Sequence, residues 1–190
     1  MGRWKPNARG RLELSALELF VERGYESTTV AEIAERAGLA KSTFFRHFSD
    51  KREVLFGGGD TLGRLFAEAI GGAPEATTPI GAVGAALDAA AVGFPEERRP
   101  WVRQRQVVIA GNSDLREREL LKRATLTAAM AEALRERGVP DRTASLGAEM
   151  GTLAFQNALD RWADPADQPD FAGIVRQELA ALRAATAALG

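Results

Sequence analysis

The octapeptide KSTFFRHF, residues 41 to 48, gathers two cations, two hydroxyls, the single histidine and three of the nine phenylalanines of a 190-residue chain. This set suits contact with a nucleic acid better than covalent chemistry. Arg46 has the fork of donors that pairs with guanine O6 and N7. Ser42 and Thr43 offer hydroxyls for base edges or phosphate, and the Thr43 methyl matches a thymine methyl. Lys41, and Lys51 a few residues on, carry charge to where phosphates would pass. The amides that start helices at Thr29 and Asp50 add further donors. Phe45, facing outward, would lie on sugar or on a thymine methyl. His47 fits this surface, and it fits equally a histidine hydrogen-bonded locally at a helix end.

Catalytic alternatives find little support. One histidine and no cysteine leave no cysteine nucleophile and no Cys or multi-His metal cluster. The sequence has no Gly-x-Ser-x-Gly element and no phosphate loop, and Gly57 to Gly59 lack the lysine-serine ending of such a loop. The 26 Asp and Glu residues form no constellation that points to carboxylate chemistry. The expectation is a protein that is not an enzyme and has no metal and no cofactor.

A face that reads DNA must be carried on a helix, and apolar spacing is helical almost throughout. Leu12, Ala16, Leu19 and Phe20 predict a first helix over about 8 to 23, stopped by Gly24. Thr29-Val30-Ala31-Glu32 has the form of a capping box opening a second helix that ends at Gly38. A third covers about 41 to 48. Ile33, Ala34 and Ala37 can pack on Leu39, Phe44 and Phe48, so two of the three phenylalanines are core. Small residues at Ala34 and Gly38 let two short helices cross steeply, as a helix-turn-helix requires. A further cap at Asp50 predicts a fourth helix. Gly57 to Gly59 must loosen or break it, as a loop or as a hinge.

Residues 71 to 79, GGAPEATTP, separate this part from a second helical block with helices at about 80 to 94, 96 to 110, 115 to 137, 142 to 163 and 171 to 189. Pro95, residues 111 to 114, residues 138 to 140 and the segment 164 to 169 punctuate them. The fold class is all-α. An N-terminal three-helix helix-turn-helix domain, residues 1 to 56, joins a helical bundle, residues 57 to 190.

Charge follows the same division. Residues 1 to 52 hold ten Lys or Arg against seven acids, while the whole chain nets −1. Residues 1 to 11 hold Arg3, Lys5, Arg9 and Arg11 and no acid. A basic end on an acidic chain points to a polyanion at that end, or to a tail that is only solvated. No apolar run approaches the roughly 18 residues of a membrane span, and no secretory signal is apparent. The expected location is cytoplasmic, with no membrane partner.

Residues 11 to 55, RLELSALELFVERGYESTTVAEIAERAGLAKSTFFRHFSDKREVL, resemble the DNA-binding domain of the TetR family of transcriptional regulators. The resemblance rests on Phe20 with Gly24-Tyr25, Thr28-Thr29, Ile33-Ala34, Ala37-Gly38, Thr43 with its two aromatics, His47-Phe48, Lys51 and Leu55. It implies backbone contacts from Thr29, Phe45, His47 and Lys51, and groove contacts from Lys41, Ser42, Thr43 and Arg46. Such regulators usually carry tyrosine where this chain has Phe45. A missing phosphate hydrogen bond would weaken binding by about 0.5 to 1.5 kcal/mol.

The resemblance further implies a homodimer on palindromic double-stranded DNA, most simply a repressor, and a small-molecule effector in the second block. For self-association the sequence offers a small-residue stripe, Ala144, Gly147, Gly151, Ala154 and Ala158, with Leu179 and Leu182 of the last helix. The same stripe could instead pack within one chain. Candidates to line an effector pocket are Trp101, Gln104, Arg105, Met130, Phe155 and Trp162; the aromatics and methionine equally fit a plain core. Arg105 could meet a ligand's carboxylate or phosphate, or pair internally with an acid such as Glu149. The segment DLRERELLKRATLTAAMAEALRERG and the helix before it are also similar to regulators of the mycofactocin system, which implies an acidic, lipid-like effector. The competing reading is a helical dimer whose head meets a protein rather than DNA.

Overall fold

The computed structural model describes residues 7–164 and 170–189. Arg3 and Lys5 of the basic end, and most of the punctuation expected at 164 to 169, lie outside the described residues. Every regular element among the described residues is a helix, and two compact units form. The first comprises Met1–Gly57 with Arg103–Glu119; the second comprises Gly58–Val102 with Leu120–Gly190. Contact thus groups with the head a segment that the linear division at 56/57 leaves in the second block.

In the first unit α1 (Ala8–Arg23) starts where the Asn7 side chain accepts the Gly10 amide, and it ends at Gly24, whose φ of 86° suits glycine. It buries Leu12, Ala16, Leu17, Leu19 and Phe20. The capping box forms at α2 (Val30–Arg36): Thr29 Oγ1 accepts the Glu32 amide and Glu32 accepts the Thr29 amide. Gly38, φ 63°, turns the chain into α3 (Lys41–His47). Phe44 and Phe48 are buried with Ile33, Ala34 and Ala37, and their ring centroids lie 5.3 Å apart. This is the packing the spacing predicts.

Asp50 accepts the amides of Arg52 and Glu53 and so starts α4 (Glu53–Phe56). The glycine run breaks the helix there: Gly58 has φ 90°, and α5 (Gly59–Gly71) begins after it. The remaining helices are α6 (Pro79–Ala91), α7 (Arg99–Ala110), α8 (Ser113–Glu136), α9 (Asp141–Ala163) and α10 (Phe171–Ala187), with a single 3-10 turn at Glu96–Arg98.

In the second unit α6 packs on α5, α9 and α10, and α9 packs on α10. Phe66, Phe94, Phe155, Trp162 and Phe171 form a connected aromatic cluster, with Phe94 and Phe171 centroids 4.5 Å apart. Met130, Phe155 and Trp162 are fully part of this core, and Trp101 is half-buried against it.

The small-residue stripe corrects an expectation. Gly147, Gly151, Ala154 and Ala158 are buried within their own unit. A Cβ on Gly151 would lie 2.5 Å from Val83 Cγ1 and 3.0 Å from Met130 Sδ, and one on Gly147 would lie 3.4 Å from Leu134 Cδ1. The stripe receives α6 and α8 of the same chain, so it is not open to a second copy. Leu179 is likewise buried, and Leu182 packs on the same core.

Gly151→Ala is therefore expected to destabilise the fold by about 1 to 3 kcal/mol through overpacking. Gly71→Ala, where an added Cβ meets nothing within 4 Å, should change stability by less than about 1 kcal/mol. Urea unfolding of the two variants checks the contrast.

Candidate nucleic-acid interface

The outward side of α3 exposes Lys41, Ser42, Phe45 and Arg46, with Thr43 and His47 half-buried beside them. Phe45 is 51 % exposed. It stands edge-on to buried Phe44, 5.6 Å between centroids, and the Lys41 ammonium lies 6.0 Å from its ring. An exposed apolar ring beside an ammonium has the chemistry to meet a group that is both anionic and partly apolar.

Helix α3 is held from three sides. Phe44 and Phe48 anchor it in the core. The guanidinium of Arg9 lies 4.9 Å from the Phe48 ring. Arg11 donates to the carbonyls of Ala37 and Gly38, so α1 clamps the turn that leads into α3. No local pattern announces the Arg11 contact, which spans 26 residues.

Most cations of the head are already engaged. Arg9 pairs with Glu13, Arg23 with Glu32, Arg36 with Glu22 and Glu18, and Arg52 with Asp50. Lys51 donates to three backbone carbonyls. Among the described cations of residues 1 to 52, Lys41 and Arg46 alone have neither an acidic nor a carbonyl partner, and both lie on α3. Thr29 is exposed at the start of α2, with its hydroxyl and amide committed to Glu32. The Arg36 hydrogen bonds hold the Glu22 carboxyl below the usual carboxylate range. The Thr29 hydroxyl and amide do the same for Glu32.

The residues offered for a pocket divide between the two units. Arg105 and Gln104 belong to the first unit, while Trp101, Met130, Phe155 and Trp162 belong to the second. Gln104 is exposed. Arg105 is buried and donates to Glu119 at 2.5 Å and to the Leu55 carbonyl at 2.7 Å, with its guanidinium 5.2 Å from the Phe56 ring. Its acid is Glu119; Glu149 is exposed. These bonds join α7 and α8 to the end of α4 inside the first unit. No described helix is long and apolar enough to cross a membrane, and no described group of His, Asp and Glu could hold a metal ion.

Residues 14–56 match the family model of bacterial regulatory proteins, tetR family. The HTH-type transcriptional regulator TcmR of Streptomyces glaucescens is 40% identical over 81 residues, covering 43% of this chain and 36% of that protein. The HTH-type transcriptional activator FasR of Mycolicibacterium smegmatis is 48% identical over 46 residues, 24% of this chain and 21% of that one. The chain thus matches about a third or less of the length of these curated relatives. Along almost its whole length it shares a fold with the transcriptional regulator FadR of Bacillus subtilis, solved in complex with stearoyl-CoA: the TM-score is 0.60 at 17% identity, covering 90% of this chain and 95% of that one.

Tyr25, the single tyrosine of the chain, reports on the α1–α2 corner of this head. Burial, and then the negative charge of Asp50, push its phenol from 10.0 up to about 12. The folded state favours the neutral phenol. Its contribution to stability is intact below about pH 10 and is lost as pH rises through about 12. Absorbance titration near 295 nm should show a midpoint near 12; a midpoint near 10 would mean that the corner is open.

Proposed function

We propose that this chain, which carries the N-terminal domain of the tetR-family bacterial regulatory proteins across residues 14–56, is a ligand-responsive transcriptional regulator that binds palindromic DNA as a homodimer. The observation that carries the reading is the pair of uncommitted cations, Lys41 and Arg46, flanking exposed Phe45 on α3. Among residues 1 to 52, where the other described cations are spent internally, this charge is available to a polyanion. Arg46 reads a base edge, Lys41 meets phosphate, and Phe45 lies on sugar or thymine methyl. Ser42 and Thr43 face the groove, and His47 borders the backbone.

A single helix of seven residues reads too few base pairs to be selective. Two copies about 34 Å apart double the reading and impose two-fold symmetry on the site. With the small-residue stripe occupied, the outer face of α9 is the better candidate for self-association. Leu146 and Leu153 lie two helical turns apart on it and are 56% and 49% exposed. The simplest action of such a dimer is repression, by occluding a promoter.

For the effector, the second unit is the natural seat. It holds two buried indole N–H groups, of Trp162 within the aromatic cluster and of Trp101 packed against the same core, that find no acceptor among the described residues. The guanidinium of Arg98 lies 5.0 Å from the Trp101 ring, and that of Arg99 lies 5.4 Å from Trp162. Donors and cations among rings fit a molecule with an apolar body and an acceptor-rich, acidic end. The stearoyl-CoA complex of the structural neighbour has the same chemistry.

Selection from random duplex DNA should recover a palindrome, bound with a steep fall of log affinity against log salt. No enrichment would favour a head that meets protein. On the selected site, Arg46→Ala should lose about 1 to 3 kcal/mol of discrimination at one base pair. Equal losses on matched and mismatched sites would remove its base-reading role. Leu153→Arg should turn the dimer into monomer in sedimentation and abolish palindrome preference. A dimer that persists would place the interface elsewhere.

A further inference from the structure

We infer that Lys51 is a positioning residue, a cationic clamp that closes the helix-turn-helix on itself, and that it does not hold a DNA phosphate as the resemblance implies. An ammonium has three donors and no more. Those of Lys51 meet the carbonyls of Tyr25 at 2.9 Å, Glu26 at 3.3 Å and Thr28 at 3.3 Å, and Nζ lies 4.2 Å from the Tyr25 ring centroid. No donor is left to point outward.

The loop needs this cation. After Gly24 ends α1, the chain must turn within five residues into the capped start of α2. Thr28 sits in the turn with its hydroxyl donating to Gly24 O at 2.9 Å. That turn aims three carbonyl oxygens at one point, where their negative ends repel unless a charge lies among them. Lys51 supplies it from the far side of α3, just after Asp50 has capped α4. The corner that enters α2 and the corner that leaves α3 are thus pinned to each other. Tyr25 shields the bond: the ring is buried, packs on Phe20 at 5.1 Å, and adds the attraction of its π face. Through Thr28 the clamp fixes the approach to Thr29, whose capping box sets the direction of α2 and hence the seat of α3.

The inference builds on the DNA-binding reading, but its test begins without DNA. The chain has four lysines, at 5, 41, 51 and 122, so limiting acetic anhydride followed by mass spectrometry resolves them one by one. Lys51 should acetylate at least about tenfold more slowly than exposed Lys41, because its nitrogen is bonded on every side. Equal rates overturn the clamp, and this result needs no variant to fold.

Lys51→Met keeps the aliphatic stem over Tyr25 and removes the donors. Amide exchange should then speed by about tenfold or more at Thr28 to Glu32, with α1 and the second unit unchanged. On duplex DNA the variant should bind all sites more weakly, with the salt slope of the wild type. A slope shallower by about 0.9, the signature of one lost phosphate contact, overturns the inference, and so does unchanged exchange. If the wild type shows no salt-dependent duplex affinity, the DNA-binding reading fails by itself, and labelling and exchange still decide the clamp.

Discussion

Helix ends leave carbonyl groups without partners, and a fold made of many short helices has many such ends. This protein satisfies its sharpest corners with cations brought from distant elements. Arg11 holds the carbonyls of Ala37 and Gly38, Lys51 those of the α1–α2 corner, and Arg105 that of Leu55 at the end of α4. In the second unit Arg137 donates to Ile70, Ala73 and Pro74 at the end of α5. Each bond is charge-assisted, and those of Arg11 and Arg137 also lie at the negative, C-terminal ends of α2 and α5. Each also commits donors of a cation within the chain. Among residues 1 to 52 most described cations are bonded within the chain, and the two that are not, Lys41 and Arg46, both lie on α3.

The same device joins helices within the first unit. Arg105 is paired with Glu119, bonded to Leu55 and stacked near Phe56, so parts of α7 and α8 are tied to the end of α4. Asn112 bonds Glu26 and Arg118 pairs with Glu53 across the same unit. A buried ion pair is a poor source of net stability, but it tolerates few alternative arrangements because breaking it strands a charge. Helix α7 starts in the second unit and ends in the first, while α8 starts in the first and ends in the second.

Packing in the second unit follows a different rule. Helices α6 and α9 carry alanine and glycine where they meet, so backbones approach closely and Val83 and Met130 fill the space that a Cβ on Gly151 would need. Small residues on one helical face announce a close neighbour without saying whose it is. Here the neighbour belongs to the same chain, and the leucines of the opposite face of α9 are left in water.

What the sequence determined by itself is what depends on near neighbours. The bounds of α1, the capping box at Thr29, the glycine stop at Gly24, the break at Gly57 to Gly59 and the buried pair Phe44 and Phe48 all arise from contacts a few residues apart, and periodicity records them. So does the outward set on α3, because a helical face is fixed once its apolar side is known. Tertiary structure decided the rest. Lys51 and Lys41 are the same residue type ten positions apart, yet one is enclosed by carbonyls 23 to 26 residues away and the other is free. Arg105 found Glu119 rather than Glu149, the segment 103–119 joined the head, and the glycine stripe turned inward. These outcomes rest on which distant groups meet a side chain, and a charge or a small residue carries no local mark of its partner.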